Sequence, residues 1–214
     1  MKRAIIIVLD GVGVGAMPDA GDYGDEGSNT LGGILRTYPN LPLPNLDSLG
    51  LLNLVPGPAK NNQVIGAYGK MALGSPNKDT ISGHWELAGI VLDKPFLTFP
   101  AGFPPELMAK FKEVTGFGYL GNKKASGTEI IEELGEEHIK TKDPIVYTSA
   151  DSVFQIAAHE EVINLPVLYD ICRKTRELLV NSWMVARVIA RPFKGKPGSL
   201  YRTKGRKDYS ILPP

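Results

Sequence analysis

Thiols, histidines, net charge and long apolar runs are all scarce in this chain, and each scarcity excludes something. Its single cysteine, Cys172, rules out an internal disulfide framework and fits a reducing compartment. Set within a helical pattern, Cys172 reads as a small core side chain, not a reactive thiol. The balance of 24 Lys and Arg against 23 Asp and Glu leaves a net charge of +1, so no global field favours nucleic acid or an anionic membrane. No stretch approaches the ~20 apolar residues of a membrane span. After Lys2 and Arg3 the apolar run lasts only from Ala4 to Leu9 before Asp10 interrupts it, short of the roughly 7–15 residues of a secretory signal core. A cytoplasmic protein is expected, with neither nucleic acid nor membrane as partner. The oligomeric state is not legible.

What is present is ordinary for a globular protein: 43% apolar and 22% charged residues in 214, enough for one large domain or two small ones. Ala4 to Leu9 has the β-branched, continuous pattern of a strand buried on both faces. Ser28-Asn29-Thr30 suits the cap of a short helix through Thr37, and Asn45 to Leu52 a second. Gly66 to Gly74 reads as a strand, Ile81 to Gly89 as the start of a helix, and Glu106 to Thr115 as an amphipathic helix. The proline- and aromatic-rich Pro95 to Pro105 reads as a domain crossing. Beyond it, Tyr119 to Gly121 suits a short strand. Ser126 with Glu129 suits a capping box for a helix ending near Gly135. Ile145 to Thr148 and Met184 to Ala190 read as strands, and Leu165 to Leu179 as a helix. Strands alternating with helices twice over predict two α/β units.

Several residues have the types and positions that chemistry needs. Asp10 ends the first apolar run and opens a glycine-rich turn. Ligands in open α/β sheets bind beyond the carboxyl ends of strands, where a carboxylate suits a divalent cation. An aspartate that only caps the turn is the alternative. Gly11, Gly13 and Gly15 lack the third spacing of a dinucleotide fingerprint. In Lys78 to Glu86, hydroxyls fall where a helix begins. Unpaired N–H groups there favour an anion, or an alkoxide on Thr80; a plain N-cap by Thr80 or Ser82 is the other reading. His84 and His159 lie in polar surroundings and suit either metal ligation or hydrogen bonding. His138, in a Glu-Glu-His run, is expected on a solvated face. Tyr147 to Ser152 places hydroxyls and a carboxylate directly after a strand, as a sugar site or a turn would. With a period of two, Arg187 and Arg191 share a strand face, and a guanidinium fork matches phosphate oxygens. A solvent-exposed sheet face is the alternative.

Long undegenerate segments carry a resemblance over essentially the whole chain. They are Val8 to Gly15; Asp79-Thr80-x-x-Gly83-His84-Trp85-Glu86; Asn122 to Leu134; Ser149-Ala150-Asp151-Ser152-x-x-Gln155-Ile156-Ala157-Ala158-His159-Glu160-Glu161; and Val185 to Phe193. Together they resemble phosphopentomutase, of the alkaline-phosphatase-like superfamily. The resemblance implies an α/β fold: an incomplete alkaline-phosphatase-like core (1–96) with an inserted α/β cap domain (97–211), and a return to the core at 212–214. It implies a phosphopentose substrate and two Mn2+ ions. Asp10 matches a metal ligand and Thr80 the threonine that carries the phosphoryl group. Ser149, Asp151, Arg187 and Arg202 match cap positions that hold the substrate. Family members continue well beyond Pro214 with further aspartate and histidine ligands, so the chain is expected to be a fragment, inactive alone. Another phosphomutase or phosphatase of the superfamily, and a non-catalytic phosphosugar-binding fragment, are the competing readings.

Overall fold

The computed structural model describes residues 3–9, 11–57, 60–76 and 79–214. It divides into two units, Met1–Leu73 and Gly74–Pro214. In the first, Asn29 starts helix α1 (Thr30–Thr37) by accepting the Gly32 N–H at 2.8 Å, as the polar triplet predicts. Pro44 opens the short helix α2 (Pro44–Ser48), where its fixed φ and missing donor cost nothing. Asn53 and Asn61 then clamp a loop: the Asn53 amide donates to the Asn61 carbonyl and accepts the Asn61 N–H, both at 2.8 Å.

Two predicted strands of this part do not form. Ala4 to Leu9 lies without secondary structure and with Ile5 85% exposed, and Gly66 to Gly74 likewise pairs with nothing. An apolar β-branched run reports a tendency to be buried, but a strand needs a ladder neighbour. Among the described residues none pairs with either segment. The expected two α/β units are therefore one, and every strand described belongs to the second unit.

That unit begins with helix α3 (Thr80–Leu87) and helix α4 (Pro105–Thr115). It continues through strand β1 (Leu120–Lys124), helix α5 (Gly127–Thr141), strand β2 (Ile145–Thr148) and strand β3 (Val153–His159). Helix α6 (Leu165–Leu178) and strands β4 (Arg187–Lys194), β5 (Tyr201–Arg202) and β6 (Lys207–Ser210) complete it. The sheet is mixed. α5 links the parallel pair β1 and β2, and α6 the parallel pair β3 and β4. β2 runs antiparallel to β3, while β5 and β6 both run antiparallel to β4.

Alternation along the strands sorts the two faces. Val146, Phe154, Ile156, Val188 and Ala190 meet α4 and α6 through Leu107, Phe111, Leu168 and the buried Cys172, the core position its pattern predicts. Phe154 stacks on Phe103 with centroids 4.2 Å apart. Ile145, Tyr147, Ala157 and Phe193 point the other way, onto Ile130 and Ile131 of α5. Gly102 and Asn122 lock the crossing segment to β1. Asn122 accepts the Phe103 N–H at 2.7 Å and returns its own amide to the Phe103 carbonyl at 3.0 Å.

Other expectations shift. α5 runs through Gly135, which packs on Leu200, and ends at Lys142 in a left-handed conformation. Ser126 precedes it without making a side-chain cap bond. β4 starts at Arg187 rather than Met184, and β3, β5 and β6 fall in stretches to which the sequence pattern assigned no element. His138 is fully buried, not solvated. Its Nδ1 donates to the Asp143 carbonyl at 2.7 Å and its Nε2 accepts the His159 N–H at 2.9 Å, so the ring bridges α5 to the end of β3.

Candidate active site

The start of α3 sets the geometry. Asp79 is extended, and its Oδ1 accepts the Ile81 N–H at 2.8 Å, so the helix cap is Asp79 and neither Thr80 nor Ser82. Ser82 turns inward and donates to the Asp79 carbonyl at 2.8 Å. Thr80 is thereby left as the first helical residue, exposed, with its hydroxyl free of capping duty. His84 donates from Nδ1 to the Thr80 carbonyl at 2.8 Å and remains exposed. Glu86 reaches back to the Gly74 N–H (2.7 Å), the Ser75 N–H (2.9 Å) and the Ser75 hydroxyl (2.7 Å). Those hydrogen bonds, led by Gly74, hold its carboxyl below the usual range.

The second oxygen of Asp79 faces the sheet. The side chain is 2% exposed, and Oδ2 has no hydrogen-bond partner among the described residues but lies 3.6 Å from Nη2 of Arg187, the first residue of β4. Arg187, 14% exposed, also has Asp151 at 3.7 Å and Asp208 at 3.8 Å. All three separations exceed hydrogen-bonding range, so one guanidinium is held by charge among three carboxylates, and its buried Nε is unpaired among the described residues. Burial pushes the Asp79 carboxyl up and the Asp151 charge adds to this, against the Ile81 N–H and Arg187. The guanidinium fork of Arg187 is part-buried and carries donors that none of the three carboxylates takes within hydrogen-bonding range.

Of the residues singled out from sequence, Thr80, Asp151 and Arg187 thus come from three elements to one neighbourhood, Thr80 through its neighbour Asp79. Ser149 is half-buried in the β2–β3 turn, two residues before Asp151, and its side chain makes no hydrogen bond among those described. Arg202 is exposed on β5, beside Gly127 at the start of α5. Ser152 is spent on architecture: its hydroxyl donates to the Leu97 carbonyl at 2.6 Å and accepts the Ala186 N–H at 3.1 Å. His159 is buried, with Nε2 donating to the Gly195 carbonyl at 3.1 Å. Asp10 lies outside the described residues. Among those described, no group of three or more His, Cys, Asp or Glu can hold a metal ion. The three aspartates that do converge meet on Arg187 instead.

Sequence reasoning missed Asp79 and Asp208. A capping aspartate directly before Thr80 was a findable signal. Asp208 enters only because β6 pairs with β4, placing it opposite Ile189.

The second unit thus joins the start of α3, which bears Thr80, to Arg187 of β4 through Asp79. Curated relatives show what the chain as a whole is similar to. The whole chain is 58% identical over 215 residues to "Phosphopentomutase" of Dictyoglomus thermophilum and 57% identical to that of Acetivibrio thermocellus, covering 55% of each relative. It is 55% identical over 218 residues to "Phosphopentomutase" of Symbiobacterium thermophilum, covering 56% of it. The chain thus spans about half the length of the curated relatives it matches. No family model matches it. Among the described residues no helix is long and apolar enough to cross a membrane.

Proposed function

We propose that this chain is part of a phosphopentomutase, an isomerase that interconverts ribose 1-phosphate and ribose 5-phosphate, and their 2-deoxy forms, with Thr80 as phosphoryl carrier. Phosphorylated Thr80 gives its phosphoryl group to the free hydroxyl of the sugar phosphate, forming a bisphosphate. The sugar turns over, and the Thr80 hydroxyl takes back the other phosphate. Each transfer breaks one P–O bond and forms another, and the hydroxyl proton moves to the departing oxygen. Ser149 and Asp151 accept from sugar hydroxyls, and Arg187 and Arg202 hold phosphate oxygens. Residues 97–211 act as a cap over a core that includes 1–96 and resumes at 212–214, excluding water that would hydrolyse the phosphothreonine.

Two Mn2+ ions belong to this reading of the whole protein, with Asp10 as one ligand. The described residues do not form the rest of such a site. The observation that carries the proposal is the Asp79–Arg187 pair, which sets the helix terminus bearing Thr80 against the strand bearing Arg187. In the whole protein, Thr80→Ala should abolish turnover of ribose 1-phosphate. The variant should fold normally, because Thr80 is exposed and caps nothing. Turnover retained by Thr80→Ala would exclude Thr80 as the carrier.

A further inference from the structure

Helix α3 is eight residues long, and apolar packing does little to hold it. Its one buried side chain is Ser82, a hydroxyl, and Trp85 adds an edge contact to Phe96 with centroids 5.7 Å apart. A helix this short is marginal by itself, so its placement has to come from polar ties at its ends. At the start these are the Asp79 cap and the Asp79–Arg187 pair. Near the other end is Glu86. An acidic side chain in the last turn opposes the helix dipole, so Glu86 gives the isolated helix nothing.

Both oxygens of the Glu86 carboxylate are engaged instead with the chain that leads into the helix. Oε1 accepts the Gly74 N–H at 2.7 Å, and Oε2 accepts the Ser75 N–H at 2.9 Å and the Ser75 hydroxyl at 2.7 Å. Ser75 is buried, and its hydroxyl also accepts the Leu92 N–H at 3.0 Å. Past α3 the chain turns at Gly89, whose φ is +93°, and so returns to that hydroxyl. Entry, helix and exit therefore meet at one carboxylate and one hydroxyl. Asp79 and Glu86 are seven positions apart, about two turns, so they lie on one face of α3 with Ser82 between them. Thr80, His84 and Leu87 occupy another face, and all three are exposed. A rigid helix tied on one face at both ends cannot roll about its axis, and that fixes the direction in which the Thr80 side chain is presented.

We infer that Glu86 is a positioning residue for Thr80: its carboxylate, bonded to Gly74 and Ser75, sets the roll of α3 and with it the place of the Thr80 hydroxyl during phosphoryl transfer. The inference rests on the reading of Thr80 as the phosphoryl carrier. Glu86 acts through the helix and takes no part in the bonds that form and break. An in-line displacement is sensitive to the position of the attacking oxygen, and an error of about 1 Å can cost about 100-fold in rate. Ser149, Asp151, Arg187 and Arg202, assigned to the sugar phosphate, lie outside α3. Loss of Glu86 should therefore lower kcat and leave KM in place.

The test uses the whole protein and ribose 1-phosphate. Glu86→Ala removes both acceptors, whereas Glu86→Gln keeps the length and one carbonyl oxygen but turns an amide donor toward backbone N–H groups. Against the parent, kcat should fall about 100-fold in Glu86→Ala and about tenfold in Glu86→Gln, the partial rescue, with KM changing by less than about twofold. Amide hydrogen exchange should quicken in α3 and keep the parent's rates in β2, β3 and β4, which reports that the variants are folded. Ser75→Ala, a smaller change that removes only the shared hydroxyl, should lower kcat in the same sense. Parent kcat in Glu86→Ala, a raised KM at parent kcat, or a loss of kcat accompanied by faster exchange throughout β2, β3 and β4 would each overturn the positioning role. Thr80→Ala separates the two failures. If it is inactive while Glu86→Ala is fully active, the positioning role alone falls; if it still turns over, the carrier reading falls and this inference with it.

Discussion

Replacing Arg187 by methionine should expose what this residue does for the start of α3. Methionine fills much of the same volume and removes the charge. Asp79, 2% exposed, then loses the Arg187 cation, the one described as acting on its carboxylate, while Asp151 still repels it. Removing one member of a buried ion pair costs about 3–5 kcal/mol when the pair is tightly bonded. Here the separation is 3.6 Å, and Oδ1 keeps its bond to the Ile81 N–H. A loss of about 2–3 kcal/mol at neutral pH is therefore expected. Asp151 is 50% exposed and adds little of its own when freed. The sign with pH follows from the direction of the Asp79 shift. Its folded value is already above 3.8, and losing Arg187 raises it further. The folded variant then binds a proton that the unfolded chain has released, so the variant loses stability as pH rises from 3.8 through the folded value. Urea unfolding followed by circular dichroism at several pH values measures this. Adding Asp79→Asn should recover most of the loss, giving a coupling of at least about 1 kcal/mol in a double-mutant cycle. A penalty that is the same at every pH, or that Asp79→Asn leaves intact, would refute the reasoning.

Two further outcomes concern the frame of the second unit. Burial lowers the pKa of His138 below its ordinary 6.5, so its contribution is complete above pH 6.5 and is lost as pH falls toward the folded value. Stability should decline in that window by up to about 1.4 kcal/mol per pH unit. His138→Gln should flatten the decline as well as destabilise, and an unchanged slope in urea unfolding would contradict the assignment. At Gly102, φ is +92° and a Cβ would overlap the Asn122 carbonyl oxygen, which is backbone and cannot step aside. Gly102→Ala should therefore cost roughly 2–4 kcal/mol in the same assay, and a neutral effect would mean the crossing segment is not locked to β1 as described.

Local signals were legible where a short stretch carries its own physics. The Asn29 cap, the apolar stripes of α4 and α6, and the all-apolar start of β2 needed no knowledge of the rest of the chain. The alternation that put Arg187 and Arg191 on one face held even though the strand itself begins at Arg187. Features that depend on distant partners were not legible. β5 and β6 are short, polar and exposed, and they are strands only because β4 has an open edge to receive them. His138 looked solvated because its neighbours in sequence are acidic. Its burial follows from acceptance of the His159 N–H, 21 positions away. Ala4 to Leu9 shows the opposite failure: a buried pattern with no described neighbour to bury it. At the site, residue types pointed to Thr80, Asp151 and Arg187. The buried Asp79 oxygen and the third carboxylate at Asp208 appear only once the sheet is assembled.

The central claim is that Thr80 carries the phosphoryl group, and phosphopeptide mapping tests it most directly. The whole protein would be incubated with ribose 1,5-bisphosphate, quenched in acid, digested and sequenced by mass spectrometry. The account predicts a single phosphoryl group on the Thr80 hydroxyl, absent from Thr80→Ala. Phosphate found on any other side chain, in protein that still turns over, would contradict it.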